Sequence, residues 1–461
     1  MTVRKRTRAT IARCAIWVAG SLVLPLLSAQ ACAQISLSSA VDLALHNDPR
    51  IKMAQADVDK ARAALAESRD VFIPSMGVSG GYGSSTGVPL GVPVVFQISS
   101  QSLLFNFSQK DNVRAAEFGL RSAQLALQES HDQLAEDVVT TYLNLDHAER
   151  HQAAVSQEYE FAARLVTIVQ QRLDAGQDTR TDLLKAKRTA AQIHLLKLHA
   201  DDDVATLSDH LSRVVGLPGT SLTAVSSSIP ELPAVDTMPI DAGDSSGIKS
   251  AFDNARSKQE LAFGAARYKY RPQVSFGANY SRISTAHTSY STYYPAFAGN
   301  KFSDNALEVG IQIQIPLFDR AHQDRARTAA ADAAHSLYEA ENQKNQFLEG
   351  RFKLRRSTAE LADRIEIATD DQEIAQEQLN AVLVQLTADS GNNGQPQMTP
   401  KDEQSARLQE RARYVDLLDA QFELQQAQVN LMRQSGVLDE WLKLAVHLPD
   451  AQHPASLQPA P

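Results

Sequence analysis

Between Asn106 and Leu173 the chain contains no proline and a single glycine, Gly119. Over that stretch Val113, Ala116, Leu120, Ala123, Leu127, Leu134, Val138, Tyr142 and Leu145 recur at steps of three, four or seven. Such spacing puts the apolar side chains on one stripe of a coiled-coil-like helix. At a rise of 1.5 Å per residue the helix is roughly 100 Å long, too long for a compact domain. It needs a partner along its length. The turn Asp174–Thr179 supplies the reversal, with Gly176 suited to a helix C-cap and Asp178 or Thr179 to an N-cap. An antiparallel helix over about 179–215 follows, and alanine at many seam positions permits close approach.

The unit is used twice. Pro74 to Tyr82 resembles Pro272 to Tyr280, and Leu104-Phe105-Asn106 matches Leu317-Phe318-Asp319. Asp111, Arg114 and Ala116 match Asp324, Arg327 and Ala329. Thr181-Asp182-Leu183-Leu184-Lys185-Ala186 is aligned with Val415-Asp416-Leu417-Leu418-Asp419-Ala420. The spacing predicts a first unit over 34–215, with strands at about 74–84 and 94–105 and helices at 106–173 and 179–215. The second covers 247–436, with strands at 272–284 and 306–317, helices at 319–386 and 402–434, and an inserted tip at 387–403. A proline- and serine-rich linker, 216–246, joins them. It carries Pro218, Pro230, Pro233 and Pro239 and is expected to lack regular structure. A disordered tail is expected over 437–461, which is rich in Pro, Ala and Gln from about His447.

The strands are amphipathic at period two. Leu307, Val309, Ile311, Ile313 and Ile315 alternate with Glu308, Gly310, Gln312 and Gln314, and Val274, Phe276, Ala278 and Tyr280 do the same against polar neighbours. Runs of about 9–11 residues suit tilted strands crossing a bilayer. A half-buried strand in a soluble sandwich has the same period, but a sandwich needs more strands than the four found. Four also fall short of the roughly eight that a membrane barrel requires, so several chains have to contribute. The strand connections, Gly83 to Pro93 and Arg282 to Asn305, read as surface loops, the second longer and carrying Tyr290, Tyr293, Tyr294 and Phe297.

The N-terminus reads as a secretory leader over 1–33. Arg4, Lys5, Arg6, Arg8 and Arg13 precede the apolar run Cys14 to Leu27, and Ala31-Cys32-Ala33 gives a small-x-small cleavage site. About 14 apolar residues cannot span a hydrocarbon core of roughly 30 Å as a helix. Both cysteines, Cys14 and Cys32, lie in this segment, so the mature chain has none and suits an oxidising compartment. Lipidation at Cys32 is the alternative, although Gln30 fits a lipidation motif poorly. Removing the leader takes five basic and no acidic residues from the 45 and 54 of the whole chain, leaving 40 against 54. That balance argues against a nucleic-acid partner, which requires basic patches.

No catalytic constellation, metal site or cofactor motif is found. Asp201-Asp202-Asp203 after His199 point in different directions on a helix and read as a solvated acidic face. The glycine-rich stretch from Gly80 to Gly87 lacks the Gly-Lys-Ser/Thr end of a phosphate loop.

Taken in order, these marks resemble the TolC-like outer membrane efflux proteins over about Ser36 to Gln434. The first helix, Leu37 to Pro49, ends at Asn47-Asp48-Pro49. Pro74 and Pro272 stand before strands, Leu317-Phe318-Asp319 stands after one, and Ala175-Gly176 precedes Asp182-Leu183-Leu184. The resemblance implies a mainly α chain with membrane β-strands. It further implies a homotrimer, three times four strands making a twelve-stranded β-barrel in outer-membrane lipid, and helices forming a tunnel through the periplasm. The implied role is an exit duct of a tripartite efflux or type I secretion system, driven by an inner-membrane transporter through a periplasmic adaptor. The alternative is a periplasmic coiled-coil adaptor without a pore. The resemblance also implies an aperture at the periplasmic end, carried over to Asp416 and Asp419, with Thr181 and Asp182 helping to latch it. Ala175, Gly176, Gly391 and Gly394 mark the candidate adaptor-docking tips. Here the sequence departs from the family. About 21 more residues separate Phe318 from Asp416 than Phe105 from Asp182, and the usual turn before the aspartates is missing. Either each arm of the second hairpin is about 10 residues longer, or a loop hangs from its end.

Overall fold

A computed structural model describes residues 33–81, 94–235, 238–239, 243–283, 305–387 and 398–446. The leader up to Cys32, most of both strand connections, Gly391 and Gly394, and the tail beyond Val446 lie outside the described residues.

In chain order the elements are β1 (Ala33–Ile35), α1 (Leu37–Asn47), α2 (Pro49–Asp70), β2 (Ser75–Gly80), β3 (Val94–Phe105), α3 (Phe107–Asp174) and α4 (Arg180–Val215). There follow β4 (Leu222–Ala224), a 3-10 turn (Ser226–Ser228), α5 (Ser246–Ala266), β5 (Gln273–Ile283), β6 (Asn305–Gln314), α6 (Arg320–Thr387), α7 (Pro400–Ser435) and α8 (Leu438–Val446).

α3 and α6 are each 68 residues long, about 100 Å at the α-helical rise. α4 and α7 are each 36 residues. The ends of these helices are fixed by local chemistry. Asn106 caps α3 by accepting a hydrogen bond from Ser108 N. Gly216 and Gly436 close α4 and α7 with φ of +85° and +71°, the left-handed conformation that glycine adopts without strain. At Gly216 a side chain would also strike Asn47, whose Nδ2 donates to the terminal carbonyl of Val215 at 3.0 Å.

The long helices lie side by side. In the half nearest the sheet the order is α2, α3, α5, α6; in the far half it is α4, α3, α7, α6. The layer is one helix thick, and α2 with α4 forms one edge while α6 forms the other. Large apolar side chains stay exposed along both edges, among them Leu184, Leu195, Leu196 and Leu198 on α4 and Tyr338, Phe352, Ile367 and Val384 on α6.

The strands form one antiparallel sheet in the order β2-β3-β5-β6. Val78, Ile98, Tyr280 and Leu307 share one register row, and Gly77, Ser99, Asn279 and Glu308 share the next. Adjacent rows face opposite ways, so one face is predominantly apolar and the other polar. Gln97 Nε2 donates to Asn279 Oδ1 at 2.9 Å on the polar side. On β6 the apolar residues Leu307, Val309, Ile311 and Ile313 are each more than 60% exposed. Nothing among the described residues covers them.

The main core lies midway along the helices, where α1, α3, α4 and α7 meet the linker. Tyr142 is its centre. Its hydroxyl accepts from Val225 N at 2.7 Å and lies 2.8 Å from the Ile35 carbonyl, to which it donates. Two expectations are corrected here. The linker is not free of regular structure: β4 pairs in parallel with β1, Ala33 opposite Leu222, and a 3-10 turn comes after it. The start of the expected disordered tail is the helix α8. Its Trp441 is 2% exposed and donates through Nε1 to the Glu231 carbonyl at 3.2 Å. Of the linker prolines, Pro230 is buried. In α8 the apolar face outweighs the bias towards Pro, Ala and Gln that begins near His447.

Beside α8, Arg433 of α7 grips Glu129 and Glu136 of α3 at 2.7 and 2.6 Å. Asp132 sits between them and faces Asp439 of α8. Burial, then the charges of Asp439 and Glu129, push its carboxyl up to about 6 against the pull of Arg433.

Two outcomes are expected. Tyr142→Phe strands the Val225 N–H and costs about 1–3 kcal/mol in chemical denaturation. Asp132 binds its proton more tightly folded than unfolded, so between about pH 4 and pH 6 it withdraws stability as pH rises. Asp132→Asn therefore raises the melting temperature of the protein at pH 7 by more than at pH 4; an equal shift at both values refutes the assignment.

Candidate functional site

The end of the molecule farthest from the sheet is where two helical hairpins turn. Gly176, with φ of +73°, ends α3 by donating its N–H to the Leu173 carbonyl at 2.9 Å. Thr179 opens α4 with a capping box: its Oγ1 accepts from Asp182 N at 3.2 Å, and Asp182 Oδ2 accepts from Thr179 N at 3.1 Å. α7 opens in the same way, with Asp402 Oδ2 accepting from Thr399 N at 2.9 Å. Such reciprocal bonds satisfy amide groups that a helix start leaves without partners.

The matched caps fix the alignment of the two hairpins. With α3 and α6 equal in length and α4 and α7 equal in length, Asp182 corresponds to Asp402 and not to Asp416. The sequence alignment slid α7 by 14 residues, four helical turns. It did so because an acid followed by two leucines recurs on this amphipathic helix. Neither arm of the second hairpin is longer. The remaining difference is seven residues in the connection between α6 and α7, which spans 388–399 against 175–179 in the first hairpin.

Asp416 and Asp419 are therefore placed about 20 Å or more from the start of α7, away from the tip. Asp416 accepts from Arg413 at 3.1 Å. Asp419 meets Nε2 of His147 on α3 at 2.9 Å, and the His147 ring stacks on Phe422 with centroids 4.6 Å apart. The contacts of Asp419 and Phe422 with His147 seam α7 to α3. Ala175, Gly176, Thr181 and Asp182 do sit at the tip. The Asp182 carboxylate is turned back on its own helix, and its hydrogen bonds from the Thr179 side chain and backbone hold it below the usual carboxylate range.

The residues that join the two tips escaped the sequence motifs. Asp178 Oδ2 lies 3.1 Å from Arg172 Nε and 3.3 Å from Lys401 Nζ, with the Asp178 side chain only 7% exposed. Asp178 thus pins the start of α7 to the turn of the first hairpin. Beside it, Glu403 takes Arg407 at 2.9 Å. The signal for this arrangement was present as two Thr-x-x-Asp boxes, Thr179 to Asp182 and Thr399 to Asp402. Among the described residues no cluster of three His, Cys, Asp or Glu is arranged to hold a metal ion, and no helix is long and apolar enough to cross a membrane.

The chain thus combines an amphipathic four-stranded sheet with helices of about 100 Å that run on from it. Residues 40–217 match the family model described as outer membrane efflux protein. The chain is 25% identical over 316 residues to protein CyaE of Bordetella pertussis, covering 65% of this chain and 64% of that one. It is 24% identical over 322 residues to outer membrane efflux protein BepC of Brucella suis, covering 66% of each. The matched part is thus slightly under two-thirds of both relatives' lengths. In fold it is similar to the outer membrane protein VceC of Vibrio cholerae, with a TM-score of 0.69 and 17% identity over 87% of this chain and 96% of that one. The resemblance to the TolC-like outer membrane efflux proteins that the sequence motifs carry is borne out.

Removing the pin separates the tips. Asp178→Asn leaves Arg172 and Lys401 as adjacent cations without the carboxylate that bridges them. A pair of spin labels at Gln177 and Ser405 is expected to show a longer and broader distance distribution in this variant, with Lys401→Gln giving a smaller change. An unchanged distribution in both variants means that the pin does not hold the tips.

Proposed function

We propose that the chain is one protomer of a passive exit duct in the outer membrane, with its helices extending through the periplasm. Three protomers share a twelve-stranded barrel, and an inner-membrane transporter acting through a periplasmic adaptor supplies the energy. The supporting observation is the pair of open edges. β2 and β6 each have one strand neighbour within the sheet, and the helix layer is open along the same two sides, α2 with α4 and α6. One edge differs from the other, so copies join head to tail, and a head-to-tail contact that closes gives a ring. The apolar sheet face then meets lipid, and strands and helices close together. An adaptor without a pore has no use for a sheet of this kind.

In this reading the internal duplication makes each protomer a sequence of two hairpin-bearing halves. The periplasmic aperture is formed by the tips around Ala175–Asp182 and Pro400–Glu403, with Asp402 in the place that the sequence resemblance assigns to Asp416. Thr181 and Asp182 line it as structural supports, since the Asp182 carboxylate is committed to its cap. The connection that carries Gly391 and Gly394, together with Ala175 and Gly176, is the surface offered to the adaptor.

The mature protein purified in detergent is expected to scatter light as three chains after subtraction of detergent, and to aggregate when detergent is withdrawn. In planar bilayers it forms channels. A monodisperse monomer that needs no detergent sinks the reading, since four strands on one chain cannot close a pore.

A further inference from the structure

Four connections join the sheet to the helices, and contacts draw them into one band. Leu103 N donates to the Val71 carbonyl at 3.0 Å, Ser108 Oγ to that of Gly264 at 2.8 Å, and Tyr270 N to that of Pro316 at 3.2 Å. The His322 ring stacks on Tyr268 with centroids 3.8 Å apart. Around this band Ile73, Met76, Tyr270, Leu317 and Phe318 are exposed, Phe318 to 80%.

Cations are set among these rings in a particular way. Lys110 Nζ lies 5.0 Å from the centroid of Phe105, Lys269 Nζ 4.8 Å from that of Tyr270, and the Arg271 guanidinium 4.6 Å from that of Phe107. Their neighbours Arg267 and Arg325 have carboxylate partners, Asp111 at 2.9 Å and Asp319 at 3.8 Å. Lys110, Lys269 and Arg271 have no carboxylate within ion-pair distance among the described residues. All three are exposed. Three positive charges are thus held over aromatic faces, beside exposed apolar side chains, and their side chains make no hydrogen bond to another described residue.

We propose that this collar binds the phosphate groups of anionic phospholipids in the leaflet facing the periplasm, an inference that rests on the barrel reading above. Aromatic side chains settle at the boundary between hydrocarbon and head groups. Lysine and arginine beside them keep their stems in the apolar layer and their charges at head-group depth. At that depth the abundant anion is a phosphodiester, and a guanidinium fork matches its paired oxygens. The collar lies on the helical side of the sheet, so the leaflet it meets is the periplasmic one. The lipids would fix the height of the barrel and hold the upper ends of α3 and α6 against it.

The test uses the full-length mature protein in nanodiscs of phosphatidylcholine alone or mixed with phosphatidylglycerol, with lipid retained after extraction counted by native mass spectrometry. The parent is expected to retain phosphatidylglycerol selectively, and less of it at high salt. Each of Lys110→Gln, Lys269→Gln and Arg271→Gln weakens that retention about fivefold and leaves phosphatidylcholine unchanged. Lys110→Arg with Lys269→Arg preserves the selectivity. Lys185→Gln with Lys187→Gln and Arg188→Gln, far away on α4, serves as the control. Equal retention of both lipids by the parent overturns the proposal, as does equal loss in the control. A parent that enters neither nanodisc overturns the barrel reading itself, which is a separate result.

Discussion

A strand edge in hydrocarbon leaves backbone N–H and C=O groups without partners, each costing several kcal/mol. In the proposed membrane setting β2 and β6 are two such edges, on a sheet whose apolar face no described residue covers. Polar edges next to a face that avoids water cannot both be satisfied in one chain, whether in water or in lipid. Pairing β6 of one copy with β2 of the next satisfies both. The helix layer obeys the same demand, because its uncovered leucines and aromatics lie along α4 and α6, α4 on the side of α2 and β2 and α6 on the side of β6. In the proposed ring, closing the strands therefore brings the helix edges together, and a tunnel follows from the barrel without a separate interface having to be specified.

The long helices keep this coupling rigid. An isolated helix owes little of its stability to propensity alone and most to the packing of its apolar stripe. α3 meets that requirement by changing partners along its length, with α2 and α5 near the sheet and α4 and α7 beyond the core. The exchange happens at the Tyr142 core, where the linker, β1 and β4 fill the gap between stacked helix ends. Linker and first strand thus act as packing material at the one level where four helices stop and start. That is why prolines there do not imply disorder.

The sequence made the long elements legible because their cause is local. The absence of proline and glycine marked α3 to within a residue at each end, and period two marked β3, β5 and β6. Where the cause is distant, the pattern was silent or misleading. β4 is three residues held by Ala33–Ile35 from the far end of the unit, and no local pattern reveals that pairing. Trp441 docks α8 because a receptive surface exists at Glu231 and on α1, and that surface belongs to the fold rather than to the tail. The hairpin tip was misaligned because Asp-Leu-Leu fits an amphipathic helix in more than one register. Only the helix starts, set by Thr179 and Thr399, distinguish the registers.

The stiffness of the chain changes with distance from the sheet. The Tyr142 core joins more than twenty buried apolar residues with the Arg433 clamp. Below it the seam between hairpins rests on small clusters around Val155 and Val169, to which α7 contributes Leu408 and Val415. At the tip the ion pair found between the hairpins is the one from Lys401 to Asp178. Hydrophobic burial is roughly proportional to area, so the free energy holding α7 against α3 falls from the core toward the tip. The caps at Asp182 and Asp402 are made within their own helices, so separating the tips does not unwind them. In a duct this arrangement gives an end that opens by tilting intact helices about a fixed waist, with one partly exposed ion pair as the first contact to yield.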